Sequence, residues 1–455
     1  MSRRNKKQKS KNDTRAWVVT VDMGYGHQRA THPLREMAPD NEIITANNYE
    51  GIPKRDRSTW HNSRKLYEII SRAKRLPVIG EPLFGMMDRM QEIPWFYPRR
   101  DLSRPSFQLR QYYWMMKYRD WGKHLIEYLN TKSLPLVTSF PPIAFMAEFF
   151  KFKGDVYLIV TDTDISRAWA SLNPKKSKIN YFASNKRAVE RLKLYGIKAE
   201  RIYMTGFPIA RSLIGGPSLK TIKKDLAQRL YNLDPKKNYI SKYKRTIQEQ
   251  LGVKCFPCRA PKRPLTITFA VGGAGAQREL GIAICKSLKK QILKGKVRVN
   301  LVAGVRNGVY RYFRDECERM SLKRQIGKGI YILYDKSKQK YFDKFDSILH
   351  STDILWTKPS ELSFYAGLGI PIIMAPPVGS QEFFNRIWLK TMGAGMTQYP
   401  PEYADEWLFD WLDSGWLAKA AMQGFLEAPK LGTYNIEEVI FKKHVLRKPK
   451  VVLQI

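Results

Sequence analysis

Acidic residues are scarce in this chain: 41 Asp and Glu stand against 80 Lys and Arg, for a formal net charge of +39. That excess is extreme for a metabolic enzyme and goes beyond what solubility requires. Such a field draws in polyanions, whether nucleic acid, an anionic membrane surface or phosphate-bearing substrates, and charge alone does not choose among them. Cysteines are few. Cys255, Cys258, Cys285 and Cys317 cannot form a disulfide framework. Cys255 and Cys258 spell C-x-x-C but have no second Cys/His pair at zinc spacing, so the plainer reading is two reduced thiols in a basic loop rather than a metal site. Long apolar runs are missing too, and none reaches the length of a membrane-spanning helix. Met1 to Arg15 is basic without an apolar core, so neither a signal peptide nor a membrane anchor is expected there. These absences suit the cytoplasm.

What is present describes an enzyme-sized α/β protein. A chain of 455 residues exceeds one compact core, and 43% apolar content is enough to fill two. Ala16 to Val21 is a short apolar run of the kind that makes a buried parallel strand. It ends in Asp22-Met23-Gly24-Tyr25-Gly26-His27, and Gln28 to Met37 has helical potential. Leu136 to Thr138, Val156 to Val160 and Ile202 to Thr205 read as further strands, with helical periodicity over Lys186 to Tyr195 between the last two. A second strand, glycine loop and helix start follows: Thr266 to Val271, Gly272 to Ala276, then Gln277 onward with apolar Leu280, Ile284 and Leu288. Val297 to Val302, Ile330 to Leu333, Ile354 to Trp356 and Pro371 to Met374 continue that half as strands. Strands alternating with helices predict mostly parallel sheets.

The expected organisation is a disordered basic arm over 1–15, an N-terminal Rossmann-like domain over 16–214, a basic linker over 215–263 with an inserted helix, a C-terminal Rossmann-like domain over 264–400, and helices with a basic tail over 401–455. The N-terminal domain carries an insertion at about 64–121 that mixes Arg and Lys with aromatics, as in Trp95 to Arg100 and Tyr112 to Lys117. Two readings stand level for it: a surface that lies on a membrane at headgroup depth, or ordinary core packing.

A glycine turn before a helix lets a ligand approach the backbone and presents free N–H groups to an anion. Gly272, Gly273 and Gly275 fit a diphosphate cradle, although tight strand-helix turns also arise from packing alone. The spacing is neither G-x-G-x-x-G nor a P-loop. His27, after the first glycine turn, stands at the carboxyl edge of the first strand, where α/β ligands bind, and its near-neutral pKa suits proton abstraction from a hydroxyl. A lone histidine is more often structural.

Gly24-Tyr25-Gly26-His27 resembles the G-x-G-H loop of the monogalactosyldiacylglycerol synthases and processive diacylglycerol glucosyltransferases, members of glycosyltransferase family 28 with the GT-B fold. Thr138-Ser139-Phe140-Pro141, Val160-Thr161-Asp162 with Trp169, and Tyr181-Phe182-Ala183-Ser184 through Thr205-Gly206-Phe207-Pro208-Ile209 resemble further family segments in the same order. Thr357-Lys358-Pro359-Ser360-Glu361, Gly369-Ile370-Pro371, and Pro377-Val378-Gly379-Ser380-Gln381-Glu382 with Asn385 resemble its donor-site segments. The matches are colinear over most of residues 16 to 396.

The resemblance implies two Rossmann-like domains facing a central cleft, and transfer of a sugar from a nucleotide-sugar, expected to be UDP-linked, to a hydroxyl acceptor such as diacylglycerol. It implies His27 as the acceptor-side base or its orienter, Asp162 as the nearest carboxylate candidate, and Gly24 and Gly26 in the acceptor-side loop. Donor contacts would come from Gly272, Gly273, Gly275, Gly304, Arg306, Lys358, Glu361, Gln381, Glu382 and Asn385, with no cofactor and no metal. Asp162-Thr163-Asp164 spells D-x-D but falls in the acceptor half and reads as coincidence. Phe364 to Gly367 occupy the place of the family's ribose-binding glutamate, which makes Glu361 the candidate substitute. On this reading the protein is peripheral on the inner membrane face, meeting anionic lipid. The alternative is a catalytically degenerate GT-B protein that binds nucleic acid or another polyanion.

Overall fold

The computed structural model describes residues 14–62, 92–270, 275, 277–377 and 379–442. Two sheets organise them. The first contains β1 (Trp17–Thr20), β2 (Ile44–Thr45), β3 (Leu136–Thr138), β4 (Val156–Ile159), β5 (Asn180–Ala183) and β6 (Ile202–Met204), in the spatial order β2-β1-β3-β4-β5-β6. The second contains β7 (Leu265–Ala270), β8 (Val297–Gly304), β9 (Ile330–Tyr334), β10 (Ile354–Thr357), β11 (Ile372–Met374) and β12 (Gly395–Thr397), ordered β12-β11-β10-β7-β8-β9. Every pairing between these strands is parallel. The central strands are covered by helices on both faces and buried at every position, which is why Val156–Ile159 and Leu265–Ala270 read as near-continuous β-branched and aromatic runs. The fold class read from the sequence is therefore correct: α/β, with two parallel six-stranded sheets in the GT-B arrangement.

Between the sheets, where the sequence predicts a linker with one inserted helix, the chain forms two helices, Lys220–Leu233 and Asn238–Leu251. The first buries Ile222, Leu226, Leu230 and Leu233 on one stripe. Its buried Arg229 donates to the carbonyls of Thr352, Leu368 and Gly369, which fixes the helix to the second lobe. After β12 the helices Ala404–Asp413 and Trp416–Glu427 continue that lobe, and Gly432–Lys442 crosses back to the first. There Thr433 Oγ1 donates to the Ile209 carbonyl at 2.5 Å and Asn435 Nδ2 to that of Thr205 at 2.8 Å. One apolar core spans the lobes: Val18 and Phe182 of the first sheet belong to the same buried cluster as Phe269 and Trp356 of the second.

Of the basic-aromatic insertion, residues 63–91 lie outside the described residues, as do most of the basic arm and the basic tail. The described part includes the helix Phe107–Arg119, capped by Ser106, whose Oγ accepts from Leu109 N. Leu109 and Met116 point inward, while Phe107, Arg110, Gln111, Trp114, Lys117 and Tyr118 form an exposed stripe at helical spacing. One face of this helix thus packs into the core, and the other carries the basic and aromatic residues to the surface.

Candidate functional site

Each sheet reverses its strand order once, and in open α/β sheets ligands bind outside the carboxyl ends of the strands flanking such a point. In the first sheet the reversal lies between β1 and β3. The loop after β1 carries Gly24 to His27, and Gly24 at φ 99 sits where a side chain would be strained. The loop after β3 supplies Ser139 and Phe140. His27 Nδ1 lies 2.7 Å from the Ser139 carbonyl oxygen. A carbonyl only accepts, so Nδ1 carries the proton and Nε2 presents its lone pair. Ser139 Oγ closes the loop by donating to the His27 carbonyl at 2.8 Å, and Phe140 packs edge-on against the imidazole at 4.9 Å. Burial pushes the His27 pKa down to about 4, so the ring is neutral at physiological pH.

In the second sheet the reversal lies between β7 and β10. Gly272 and Gly273, in the loop after β7, lie outside the described residues. Gly275 is buried beside the start of the helix Asn307–Arg319, where a methyl group would come within 3.6 Å of Arg306 Cδ. The loop after β10 carries Lys358 and Glu361. Lys358 pairs with Glu382 on the helix Ser380–Thr391, next to Gln381. The structure therefore brings Lys358, Glu361, Gln381, Glu382 and Asn385 to one edge, with Gly275 and Arg306 at its neighbour.

Two contacts join the lobes at these edges. In the first, the helix Tyr25–Thr31 meets the helix Lys338–Leu349. Buried Arg29 donates from Nε to Glu361 Oε1 at 3.3 Å and from NH2 to Tyr341 Oη at 2.9 Å, with its guanidinium 4.3 Å from the Phe345 ring centroid. Burial works against this cation, but Tyr341, Tyr365 and Glu361 outweigh it and hold the pKa above the ordinary guanidinium value. Glu361, the candidate ribose ligand, is thus already bonded to the acceptor lobe, and its Oε2 lies 3.5 Å from where a Gly26 side chain would begin. Tyr25 Oη accepts from Val305 N at 3.0 Å, and a side chain at Gly304 would strike that hydroxyl at 2.4 Å. Glycine at 304 is what admits Tyr25 from the other lobe.

In the second contact the loop after β4 meets the helix Ser380–Thr391. Asn385, fully buried, accepts at Oδ1 from Thr163 N (3.0 Å) and Thr163 Oγ1 (2.7 Å). Its Nδ2 donates to Asp162 Oδ1 at 3.3 Å and to the Pro359 carbonyl at 3.2 Å. Burial, and then the negative charges of Glu361 and Glu382, push the Asp162 pKa up to about 7, against the bonds from Asn385 and Thr161 that favour its charged form. Two residues on, Asp164 is held by a bidentate bond from Arg191 at 2.7 and 2.9 Å, buried inside the first lobe. The D-x-D spelling therefore does not put two carboxylates at one place. Among the described residues, no group of three or more His, Cys, Asp or Glu is placed to hold a metal.

Sequence reasoning missed Tyr25, Arg29 and Thr163 as contacts between the lobes. Nothing local marks Arg29, since buried arginines are hidden in a chain with 80 basic residues. Chemically, the edges where the lobes meet combine a neutral imidazole, a carboxyl that exchanges its proton near neutrality, and the cations Lys358 and Arg306.

Comparison with known proteins gives distant matches. A family described as a domain of unknown function, DUF6938, matches residues 258–434, the second lobe and the helices after it. Processive diacylglycerol β-glucosyltransferases of Bacillus cytotoxicus and Bacillus cereus are 23% and 24% identical over 285 and 286 residues, covering 61% of this chain. The chain spans about 60% of the length of these relatives. Among solved structures, Anabaena Alr3699/HepE in complex with UDP superimposes with a TM-score of 0.41 at 11% identity, covering 75% of this chain and 84% of that one. Acinetobacter baumannii MurG gives 0.38 at 12% identity, covering 72% and 80%. The two parallel six-stranded sheets of this chain are those of a two-lobed GT-B fold. The chain is a distant relative of the processive diacylglycerol β-glucosyltransferases.

Proposed function

We propose that the protein is a glycosyltransferase that moves a sugar from a UDP-linked donor to a hydroxyl of a membrane lipid such as diacylglycerol. One observation carries this reading: the edges at the reversal points of both sheets meet, with His27 and Asp162 on one side and Lys358, Glu361, Glu382 and Asn385 on the other. The distant relatives, named for a diacylglycerol acceptor, add to it.

The reaction is a direct displacement. The bond from the anomeric carbon to the β-phosphate oxygen breaks as the bond from the acceptor oxygen to that carbon forms. The acceptor proton passes to Asp162, whose pKa of about 7 matches a general base at working pH. His27, too weak a base at about 4, accepts the acceptor's hydrogen bond at Nε2 and orients it. Lys358, Arg306 and the Gly272 to Gly275 loop stabilise the departing nucleoside diphosphate in place of a metal.

Among the described residues no helix is long and apolar enough to cross a membrane. The stripe of Phe107, Arg110, Trp114, Lys117 and Tyr118 has the composition of a headgroup-level surface, and each basic residue near anionic lipid contributes ~1 kcal/mol. On this reading the enzyme works peripherally at the cytoplasmic leaflet.

The test is thermal unfolding with uridine diphosphate and a panel of UDP-sugars. A ligand at ~100 times its dissociation constant adds ~2.7 kcal/mol of stability, a shift of several degrees. No shift with any uridine ligand would remove the reading.

A further inference from the structure

The four cysteines fall into two pairs with opposite settings. Cys285 and Cys317, on the helices Arg278–Ser287 and Asn307–Arg319, are fully buried in the core of the second lobe. Burial pushes the Cys317 thiol up to about 11 and, with the nearby Cys317, holds Cys285 well above the ordinary thiol range. Thiols that neither ionise nor meet solvent are inert. Cys255 and Cys258 are only half-buried, in the segment that leads from the helix Asn238–Leu251 to β7.

That second pair sits on an anchored turn. The helix ends at Gly252, whose carbonyl accepts from Cys255 N at 2.9 Å and from Phe256 N at 3.1 Å. Phe256, between the two thiols, is 1% exposed and stacks on Tyr231 of the helix Lys220–Leu233 at 5.8 Å. With the middle of the C-x-x-C pinned, both cysteines rest against the same apolar core while staying half open to water. Burial, and then the charge of Cys255, push the Cys258 thiol up, so each sulfur lies within reach of the other's field. Lys254, Arg259 and Lys262 around the pair are exposed and draw anionic reagents toward it. The segment enters β7 at the sheet edge opposite the loop Gly272 to Gly275, where Arg263 pairs with buried Asp353. The site is therefore separate from the candidate transferase residues and independent of that reading.

We propose that Cys255 and Cys258 form a reversible redox site, oxidised to an intramolecular disulfide by a low-molecular-weight disulfide such as glutathione disulfide. Cys255 reacts first, because the raised thiol of Cys258 ionises less readily. The Cys255 thiolate attacks one sulfur of the oxidant, whose S–S bond breaks and releases one glutathione thiolate. Cys258, after losing its proton to solvent, attacks the Cys255 sulfur of the mixed disulfide and releases the second glutathione. The pair gives up two electrons and two protons, and one glutathione disulfide becomes two glutathione thiols. A bridge across two residues closes too short a loop to stabilise the fold much, so it acts as a switch rather than a staple.

The test incubates the full chain with glutathione disulfide, alkylates the remaining thiols in denaturant and measures peptide masses. The tryptic peptide 255–259, cut after Lys254 and Arg259, carries both cysteines of the pair and neither of the others. In wild type this peptide should lose two hydrogens, with recovery on adding dithiothreitol, while Cys285 and Cys317 remain alkylated. Cys258→Ser should stop at a mixed disulfide of Cys255 with glutathione, and Cys255→Ser should react at least about tenfold more slowly than Cys258→Ser. Absence of the disulfide in wild type overturns the site, as does glutathione left unresolved on Cys255. Equal oxidation of all four cysteines also overturns it, since the reactivity would then not belong to this turn.

Discussion

The two contacts between the lobes differ in what they are made of. Where the helix Tyr25–Thr31 meets Lys338–Leu349, the contact is a permanently charged guanidinium packed among Tyr341, Phe342, Phe345 and Tyr365, with Glu361 as its counter-ion. Where the loop after β4 meets Ser380–Thr391, it is an amide and a hydroxyl around one carboxyl whose proton is labile near neutrality. A buried charge pair among aromatic rings is costly to break, so the first contact holds the lobes in register. The second, poised between two protonation states, is where the proposed reaction puts its proton transfer. Closure and reactivity are thus assigned to neighbouring but separate places.

The sharpest way to break this division lies within three residues. Asp162→Asn should lower turnover at least ~10²-fold with folding intact, as for loss of a general base. Asp164→Asn should instead leave Arg191 without its buried counter-charge and cost ~3–5 kcal/mol of stability, measured by denaturant unfolding, with little effect on turnover of the folded fraction. If the two variants traded these effects, the roles given to the two aspartates would be reversed.

A comparable stability loss is expected at the first contact. Arg29→Met removes the partner of Glu361, and a loss of about 3 kcal/mol should appear in the unfolding midpoint. Limited proteolysis of the variant should become faster around 252–263, between the lobes. Unchanged stability would mean that the apolar core alone holds them.

The smallest effects lie in the pH dependence of stability. The folded pKa of Asp162 is raised, so its native state binds the proton more tightly, and its contribution falls as pH rises from about 4 to about 7. The folded pKa of His27 is lowered, so its contribution is lost as pH falls from about 6.5 to about 4. Difference curves against wild type should therefore slope oppositely: Asp162→Asn gains relative stability toward pH 8, and His27→Gln gains it toward pH 4. Each difference should be no more than a few kcal/mol, read from urea titrations across the range.

The sequence showed the sheets more clearly than it showed their meeting. Buried parallel strands such as Leu265–Ala270 are continuous apolar runs, and Gly24 and Gly275, both at positive φ, are glycine where the backbone needs it. The edge strands Ile44–Thr45 and Gly395–Thr397 are too short to make a pattern. The helix Lys220–Leu233 lay in a segment whose basic composition suggested a linker, although its apolar stripe marks a packed element. The contacts between lobes join residues more than two hundred positions apart, as in Thr163 with Asn385 and Arg29 with Glu361, and no local signal links such partners. Asn385 was legible as a site residue through its neighbours Gln381 and Glu382, but its hold on Asp162 was not.

The central claim is that Asp162, carried to the donor lobe by Asn385, accepts the proton of a lipid hydroxyl during sugar transfer. Its most direct test is transfer of labelled glucose, galactose or N-acetylglucosamine from UDP to vesicles containing diacylglycerol and anionic lipid, with wild type and Asp162→Asn side by side. The account predicts a labelled glycolipid from at least one donor with wild type, and less than ~1% of that rate with the variant. Equal rates for both proteins, or no product from any donor despite bound uridine diphosphate, would contradict it.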